Sequence, residues 1–219
     1  MEDHLSLCLV EEDRYDEFMD HISRDFFPRE SLALGSGLVK NHTADEVREV
    51  FGQYLSHGIS LAVIDRRTDR IVATALNRFV DQSDPPPSAQ DIQELPPELQ
   101  SIFAFLAHLE DGYDVYEQCG AQRGIELLFL CVQDGYGGRG IARKLTEETI
   151  DLAGKRPDVA FVESNPTAPA TCHLFRSLDF ETVSEMRPVD YSIDGRPAFP
   201  YALPQDLTRF TVLKLQKDR

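Results

Sequence analysis

The sequence predicts an α/β (α+β mixed) fold in which helices flank a mixed central sheet of about seven strands. The first observation is the order of its segments. Strand-like and helix-like patterns follow each other as β-α-α-β-β-α-β-α-β-α-β-β, which combines hairpins with crossovers. The second is the run from Ile125 to Val132, which is almost entirely apolar, as in a strand covered on both faces. The 219 residues contain no internal repeat and no dividing linker, so we expect a single domain over residues 1–219.

The first half of the chain predicts a strand, two helices and a hairpin. Alternating leucines indicate the strand, and apolar residues at helical spacing indicate the helices. Pro28 ends the first helix, because proline disfavours helical geometry at the residue before it. In chain order the elements are a strand at 5–9, a helix at 15–26, a loop around Gly35 and Gly37, a helix from the capping box Thr43–Glu46 to Gly58, and strands at 59–65 and 70–80.

The second half predicts two crossovers and a closing pair of strands. It starts with a proline-rich loop at 81–97, either a plain surface excursion or a lid over a substrate. After it come a helix at 98–117, the apolar strand at 125–132, a helix that begins at Ile141, a strand at 158–163, a helix at 167–177, and strands at 180–191 and 207–215.

A glycine-rich turn joins the apolar strand to the helix that begins at Ile141. Four glycines fall within six residues, so the backbone there can take positive φ and approach a ligand closely. They are Gly135, Gly137, Gly138 and Gly140. The free amides and the dipole of a helix N-terminus favour phosphate. The turn is neither a P-loop nor a dinucleotide fingerprint. The sequence therefore predicts an anion site here, with an ordinary strand-to-helix turn as the alternative.

Composition excludes several classes of function. A formal charge of −16 argues against nucleic-acid binding and is compatible with cationic small molecules. The N-terminus has no signal-peptide pattern and no run is long enough to span a membrane, so we expect a cytoplasmic protein without membrane contact. The four cysteines are scattered, and their spacing suggests neither zinc nor a disulfide framework. We expect no metal.

The glycine-rich turn resembles the acetyl-CoA loop of the GCN5-related N-acetyltransferases. In that pattern a strand ends in Val, Tyr or Trp follows four residues later, and Arg/Gln-x-x-Gly-x-Gly/Ala comes next. The matching positions are Val132, Tyr136, Gly137, Gly140 and Ala142, and Gly137 stands where the family usually has Arg or Gln. The resemblance implies the acyl-CoA N-acyltransferase fold, with acetyl-CoA held by Leu130, Cys131, Val132, Gly137, Gly138, Arg139, Gly140, Ile141 and Ala142.

Other segments resemble the insect arylalkylamine N-acetyltransferases. Residues 26–32 are similar to the family's Phe-Phe-x-x-Glu-Pro-Leu, which implies that Glu30 is the general base. Thr167 and Thr171 replace two serines spaced four apart, which implies catalytic roles for them, and residues 191–215 resemble the family's C-terminal hairpin. For each of these residues one alternative remains at this point. Glu30 could be a solvated carboxylate paired with Arg29, and Thr167 could be only a helix N-cap.

One departure concerns the general acid. Phe175 stands where many N-acetyltransferases carry a tyrosine that donates the proton, and a phenyl ring has none to give. His173 lies nearby in sequence and is typical of a core residue more than of a ligand or an acid.

The resemblance implies an acetyl-CoA-dependent N-acetyltransferase that acetylates a small primary amine by direct transfer in a ternary complex. The implied amine is an arylalkylamine of the dopamine, serotonin or tyramine type, and a polyamine or agmatine is the alternative. A noncatalytic acyl-CoA-binding module is the rival from another class. We further expect a monomer or weak dimer.

Overall fold

The computed structural model describes residues 2–41, 44–85 and 89–216. The strands are β1 (Leu5–Leu9), β2 (Leu61–Asp65), β3 (Arg70–Asp81), β4 (Arg123–Val132), β5 (Phe161–Ser164), β6 (Glu181–Met186), β7 (Ser192–Ile193), β8 (Arg196–Pro197) and β9 (Thr208–Lys214). The α-helices are α1 (Tyr15–Asp25), α2 (Ser31–Ser36), α3 (Leu38–Asn41), α4 (Ala44–Phe51), α5 (Ala89–Glu94), α6 (Pro97–Glu110), α7 (Val115–Cys119), α8 (Ile141–Gly154) and α9 (Pro169–Arg176). Short 3-10 helices lie at Glu12–Arg14, Phe27–Arg29, Gly52–His57 and Pro188–Asp190.

Seven of these strands form one mixed sheet in the order β1-β2-β3-β4-β5-β9-β6, while β7 and β8 make a separate hairpin. Neighbouring strands are antiparallel except for β4 and β5, which are parallel. Parallel neighbours need a crossover, and α8 provides it on one face of the sheet. The predicted fold class is confirmed.

The sheet opens between β4 and β5. Their parallel ladder has only the register pairs Ile125 with Val162 and Glu126 with Glu163, after which the Ser164 hydroxyl donates to the Leu127 carbonyl at 2.7 Å. On the other edge of β4 the register with β3 shifts at Leu128, which is a β-bulge. A bulge bends its strand. Beyond Glu126, no described strand pairs with the β5-side edge of β4.

Each face of the sheet carries its own core. On one face, Ile141 and Leu145 of α8 pack against β4 residues Ile125 and Leu127. On the other face, α1 contributes Phe18, Met19 and Ile22, which are at most 2% exposed. The apolar run of β4 is thus covered on both sides, as the sequence predicts.

Several predicted boundaries are wrong. The helix predicted at 98–117 is two helices, because the backbone turns at Gly112 (φ 83°) and the Asp114 carboxylate caps α7. The loop predicted at 81–97 contains α5. The loop predicted around Gly35 and Gly37 contains α2 and α3, and Gly37 (φ 91°) ends α2 as a left-handed cap. Thr43 of the capping box lies outside the described residues.

The helix predicted at 167–177 begins at Pro169, and its N-cap is Ala168. Thr167 is therefore outside the helix, and the interpretation of Thr167 as its N-cap is wrong. None of the helices in the described ranges is both long and apolar enough to cross a membrane.

Candidate active site

Glu30 is the N-cap of α2. Its backbone is extended (φ −82°, ψ 128°), and its carboxylate turns back onto the start of the helix. Oε1 accepts the Leu32 amide at 3.0 Å and Oε2 accepts the Ala33 amide at 2.7 Å. Such bonds satisfy two of the free amides of a helix start. Because Leu32 is buried against Phe105 and Phe199, α2 and its N-cap are fixed in place.

A third bond to Glu30 comes from the distant end of the chain. The Thr167 hydroxyl donates to Glu30 Oε1 at 2.8 Å, although the two residues are 137 positions apart. Burial raises the pKa of the Glu30 carboxyl, while the Leu32 and Ala33 amides and the Thr167 hydroxyl lower it. Burial is the larger effect, so the carboxyl binds a proton more tightly than a solvated glutamate does.

Arg29 does not pair with Glu30. Its guanidinium donates to the Asp25 carbonyl at 2.6 Å, to Asp134 Oδ1 at 2.6 Å and to the Val132 carbonyl at 3.1 Å. These contacts connect the segment before Glu30 to the end of β4. The interpretation of Glu30 as the partner of Arg29 is therefore wrong.

The glycine-rich turn after β4 presents free backbone amides. From Gly137 to Arg143 no amide N–H donates to any described residue, and the first helical bond is Lys144 N to Gly140 O at 3.1 Å. Gly138 and Gly140 both have φ of 73°, whereas Gly137 has an ordinary negative φ. No atom lies within 4 Å of a Cβ built on any of these three glycines. The turn is therefore an exposed set of donors suited to an anion.

Tyr136 fixes the base of this turn. Its hydroxyl donates to Asp65 Oδ2 at 2.8 Å, and the Arg67 side chain donates to the same carboxylate at 2.6 and 3.0 Å. Asp65 is fully buried, and the bonds from Arg67 are the main cause of its lowered pKa. A buried ionised carboxylate thus holds the tyrosine that the acetyl-CoA pattern includes.

The remaining predicted site residues differ in their surroundings. Leu130 and Val132 are half-buried, whereas Cys131 is buried, and burial raises the pKa of its thiol to about 12. Arg139 donates to Glu2 and to the Gly135 carbonyl. Ile141, the first residue of α8, is buried against the sheet, and Ala142 follows it in the first turn of that helix.

Of the predicted catalytic residues, the structure brings Glu30 and Thr167 together. Thr171 lies in the first turn of α9, half-buried, and makes no hydrogen bond to either of them. Phe175 is buried and stacks on Phe180 at 4.7 Å, so it belongs to the core. His173, expected in the core, is exposed.

Comparisons with known proteins give the fold. No family model matches the sequence, and no curated protein matches it. Among solved structures, arylalkylamine N-acetyltransferase 2 from Aedes aegypti matches with a TM-score of 0.88 and 21% identity, over 98% of this chain and 100% of the other. A mosquito arylalkylamine N-acetyltransferase-like 5b matches with 0.86 and 19%, over 96% and 100%. The polyamine N-acetyltransferase of Drosophila melanogaster, which forms N-acetylagmatine, matches with 0.83 and 20%, over 96% and 100%.

This chain has the GCN5-related N-acetyltransferase fold. The opening between β4 and β5 has the predicted coenzyme-binding residues on its β4 side and the predicted catalytic residues on its β5 side. The glycine-rich turn follows the free end of β4, and Thr167 follows the end of β5 by three residues. The hydrogen bond from Thr167 places the Glu30 carboxylate at the same opening between β4 and β5.

A group of carboxylates lies at the start of the same opening, and the sequence analysis missed it: Glu126 is buried, whereas Glu110 and Glu163 are half-buried. Glu126 and Glu163 face each other across β4 and β5, and Arg78 faces Glu126 from β3. Glu110, at the end of α6, accepts a bond from Asn165 at 2.7 Å. The sequence carried one signal for this group: a glutamate occurs in each of two apolar strand segments, Glu126 in 125–132 and Glu163 in 158–163. In the described part of the chain, no group of His, Cys, Asp and Glu is placed to hold a metal ion.

Proposed function

We propose that the protein is an acetyl-CoA-dependent N-acetyltransferase that acetylates a small primary amine by direct transfer. The observation that carries this proposal is the Glu30–Thr167 pair. A desolvated carboxylate is held by two helix amides and a hydroxyl, at the opening of a sheet whose neighbouring strand leads into an anion-binding turn. Acetyl transfer from a coenzyme thioester to an amine needs a base that deprotonates the amine and a site that binds the phosphates of the coenzyme, and these two features meet those needs.

Glu30 is the proposed base. An alkylamine is mostly protonated at neutral pH, so it must lose a proton before it can attack. Glu30 accepts a proton from the ammonium group, directly or through water. The neutral nitrogen then attacks the carbonyl carbon of the thioester and a C–N bond forms. The C–S bond breaks, the nitrogen loses its second proton to give the amide, and the leaving thiolate takes up a proton. The raised pKa of Glu30 brings its basicity closer to the working pH.

The turn from Gly137 to Ala142 is the proposed pyrophosphate site. Its amides have no internal acceptor, and Arg139, which belongs to the turn, is paired with Glu2. The β5-side edge of β4 beyond the bulge at Leu128 is free to pair with an extended amide chain. This edge includes Leu130, Cys131 and Val132. The coenzyme's amide-containing arm would lie along β4 and its phosphates would meet the helix start.

Direct transfer is proposed in preference to an acyl-enzyme. Cys131 is the thiol that the sequence places at the end of β4, and a thiol reacts as the thiolate. Its pKa of about 12, caused by burial, leaves almost no thiolate at neutral pH. The acetyl group therefore passes to the amine in a ternary complex.

For the acceptor, the proposal includes two candidates with different support. The rings of Phe26, Phe27 and Phe129 pack within 5.4 Å of each other just before Glu30, which gives the apolar wall that an arylalkylamine of the dopamine, serotonin or tyramine type would use. The carboxylates of Glu110, Glu126 and Glu163 at the start of the opening favour a diamine or an aminoalkyl guanidine such as agmatine. A noncatalytic acyl-CoA-binding module would have no use for the Glu30–Thr167 pair.

The test is a thiol-release assay with acetyl-CoA and a panel of amines. Phenethylamine, tyramine, n-butylamine, 1,4-diaminobutane and agmatine distinguish the acceptor classes. We expect amine-dependent release of CoA and the N-acetyl product by mass spectrometry. Coenzyme binding without acetylation of any amine would support the noncatalytic module and refute the proposal.

A further inference from the structure

The glutamates at the start of the opening between β4 and β5 have too few positive partners. Arg78 donates to Glu126 Oε2 at 2.5 Å and to the Tyr54 hydroxyl at 3.0 Å, so its positive charge is already paired with the negative charge of Glu126. Glu163 faces Glu126 across the strands, but its carboxyl group makes no hydrogen bond or ion pair with any described residue. Among the described residues, the Glu110 carboxyl accepts a hydrogen bond only from the neutral Asn165 amide. Two carboxyls therefore lack a counter-charge.

Partial burial of the Glu110 and Glu163 carboxyls makes this lack of a counter-charge unfavourable. Removal from water raises the pKa of Glu110 to about 7 and raises that of Glu163 well above its ordinary value, and the negative neighbours Glu126 and Glu110 raise the latter further. Arg78 opposes the shift at both residues. Withdrawing a carboxyl from water favours its protonation or its pairing with a cation.

An independent observation concerns Asn165. Its Nδ2 donates to Glu110, but its Oδ1 is buried and accepts no hydrogen bond from any described residue. Buried acceptors without a donor are rare in native proteins. An acceptor oxygen beside two unpaired carboxyls matches the hydrogen-bonding needs of an organic ammonium or guanidinium, which carries several donors on one positive group.

This group of residues is close to the proposed base. Asn165 and Thr167 are separated by one residue, so their Cα atoms are at most about 7 Å apart. Thr167 bonds Glu30, and Asn165 bonds Glu110. One short chain segment thus connects the carboxylate that would deprotonate an amine with the carboxylates that lack a cation.

We infer that Glu110, Glu163 and Asn165 form a second cation site, which binds the far nitrogen of an acceptor amine whose near nitrogen reacts at Glu30. The inference rests on the proposed function and gives the substrate class as a diamine or aminoalkyl guanidine. The second cation supplies the missing counter-charge and donates to Asn165 Oδ1. Cation binding stabilises both carboxyls in the ionised form, so it lowers the raised pKa of Glu110 and of Glu163 and releases protons from them.

The experiment compares two probes that differ in the far nitrogen, 1,4-diaminobutane and n-butylamine. We expect kcat/KM to favour the diamine, and Glu163→Gln to reduce this ratio by about 10- to 100-fold, as for the loss of a bond between charged groups. Glu12→Gln, at an exposed carboxylate before α1, is the matched control and should keep the ratio. Equal kcat/KM for both probes in the wild type overturns the inference.

A binding measurement keeps this test separate from the proposed function. Titration of the CoA-bound wild type with 1,4-diaminobutane should give a calorimetric enthalpy that depends on the ionisation enthalpy of the buffer, because protons are released. The Glu163→Gln variant, checked for folding by its CoA affinity, should lose most of this dependence. If no amine is acetylated but this binding persists, the proposed function fails and the cation site stands. Absence of buffer-dependent binding in the wild type overturns the cation site.

Discussion

Replacing Glu30 by alanine removes two things at once, a base and a helix cap. As a general base, Glu30 should account for a factor of roughly 10² to 10⁴ in turnover. As the N-cap of α2 it accepts two amide bonds, at 3.0 and 2.7 Å, and loss of such a cap costs about 0.5–2 kcal/mol. Glu30→Ala should therefore lower both kcat and thermal stability.

A second variant separates the two losses. Glu30→Gln keeps an acceptor oxygen for the start of α2 but is no base, so its unfolding free energy should stay closer to that of the wild type while its turnover falls as in Glu30→Ala. Thiol release measures the first effect and urea unfolding measures the second. Coenzyme affinity, measured by calorimetry, should remain near normal in both variants, because the glycine-rich turn is a separate element.

The pH dependence gives a further check on the same residue. Burial raises the pKa of Glu30, so kcat/KM in the wild type should rise with pH to a plateau, with an apparent pKa above that of a free carboxylate. In Glu30→Ala this limb should move toward the pKa of the amine, since only the small neutral fraction still reacts. Full activity of Glu30→Ala with an unchanged profile would refute the role of Glu30 as base.

Three other changes test the surroundings of the site. Thr167→Val removes a bond that lowers the pKa of Glu30, so the acid limb of the kcat/KM profile should move to higher pH; an unmoved limb would show that the bond has no effect on the base. Gly138→Val or Gly140→Val puts a branched side chain at φ 73°, a strain of about 1–2 kcal/mol, and coenzyme Kd should rise about tenfold by calorimetry. Gly137→Arg, at an ordinary φ and with open space, should fold normally and tighten coenzyme binding by at most about fivefold; a large loss of affinity would show that the turn is aligned wrongly.

The fold was predictable from the sequence because its main elements have clear periodicities. β4 is an apolar run, and α8 shows buried residues at Ile141, Leu145 and Thr149, one helical face. The predicted helix boundaries are wrong where the backbone conformation of one or two residues ends a helix. Gly112 and Asp114 divide one apolar periodicity into two helices, and the pattern of apolar residues does not record that division.

The candidate site was predictable only as far as local patterns reach. Glu30 and the glycine-rich turn lie in recognisable segments, so their residues were named in advance. The bond between Glu30 and Thr167 joins residues 137 positions apart, and no local spacing encodes it. The same reason explains why Glu110 and Glu163 were missed: each is an ordinary glutamate in its own segment, and they become unusual only after the chain folds.

The short ladder between β4 and β5 also has a mechanical consequence. Two register pairs are the only strand-to-strand pairing that the described chain has between the half of the sheet built from β1 to β4 and the half built from β5, β9 and β6. The proposed substrates would enter at this seam, and any ligand seated there would brace both halves. Because a ligand that binds the folded chain stabilises it by mass action, substrates bound at this seam would oppose separation of the two halves for as long as they stay bound.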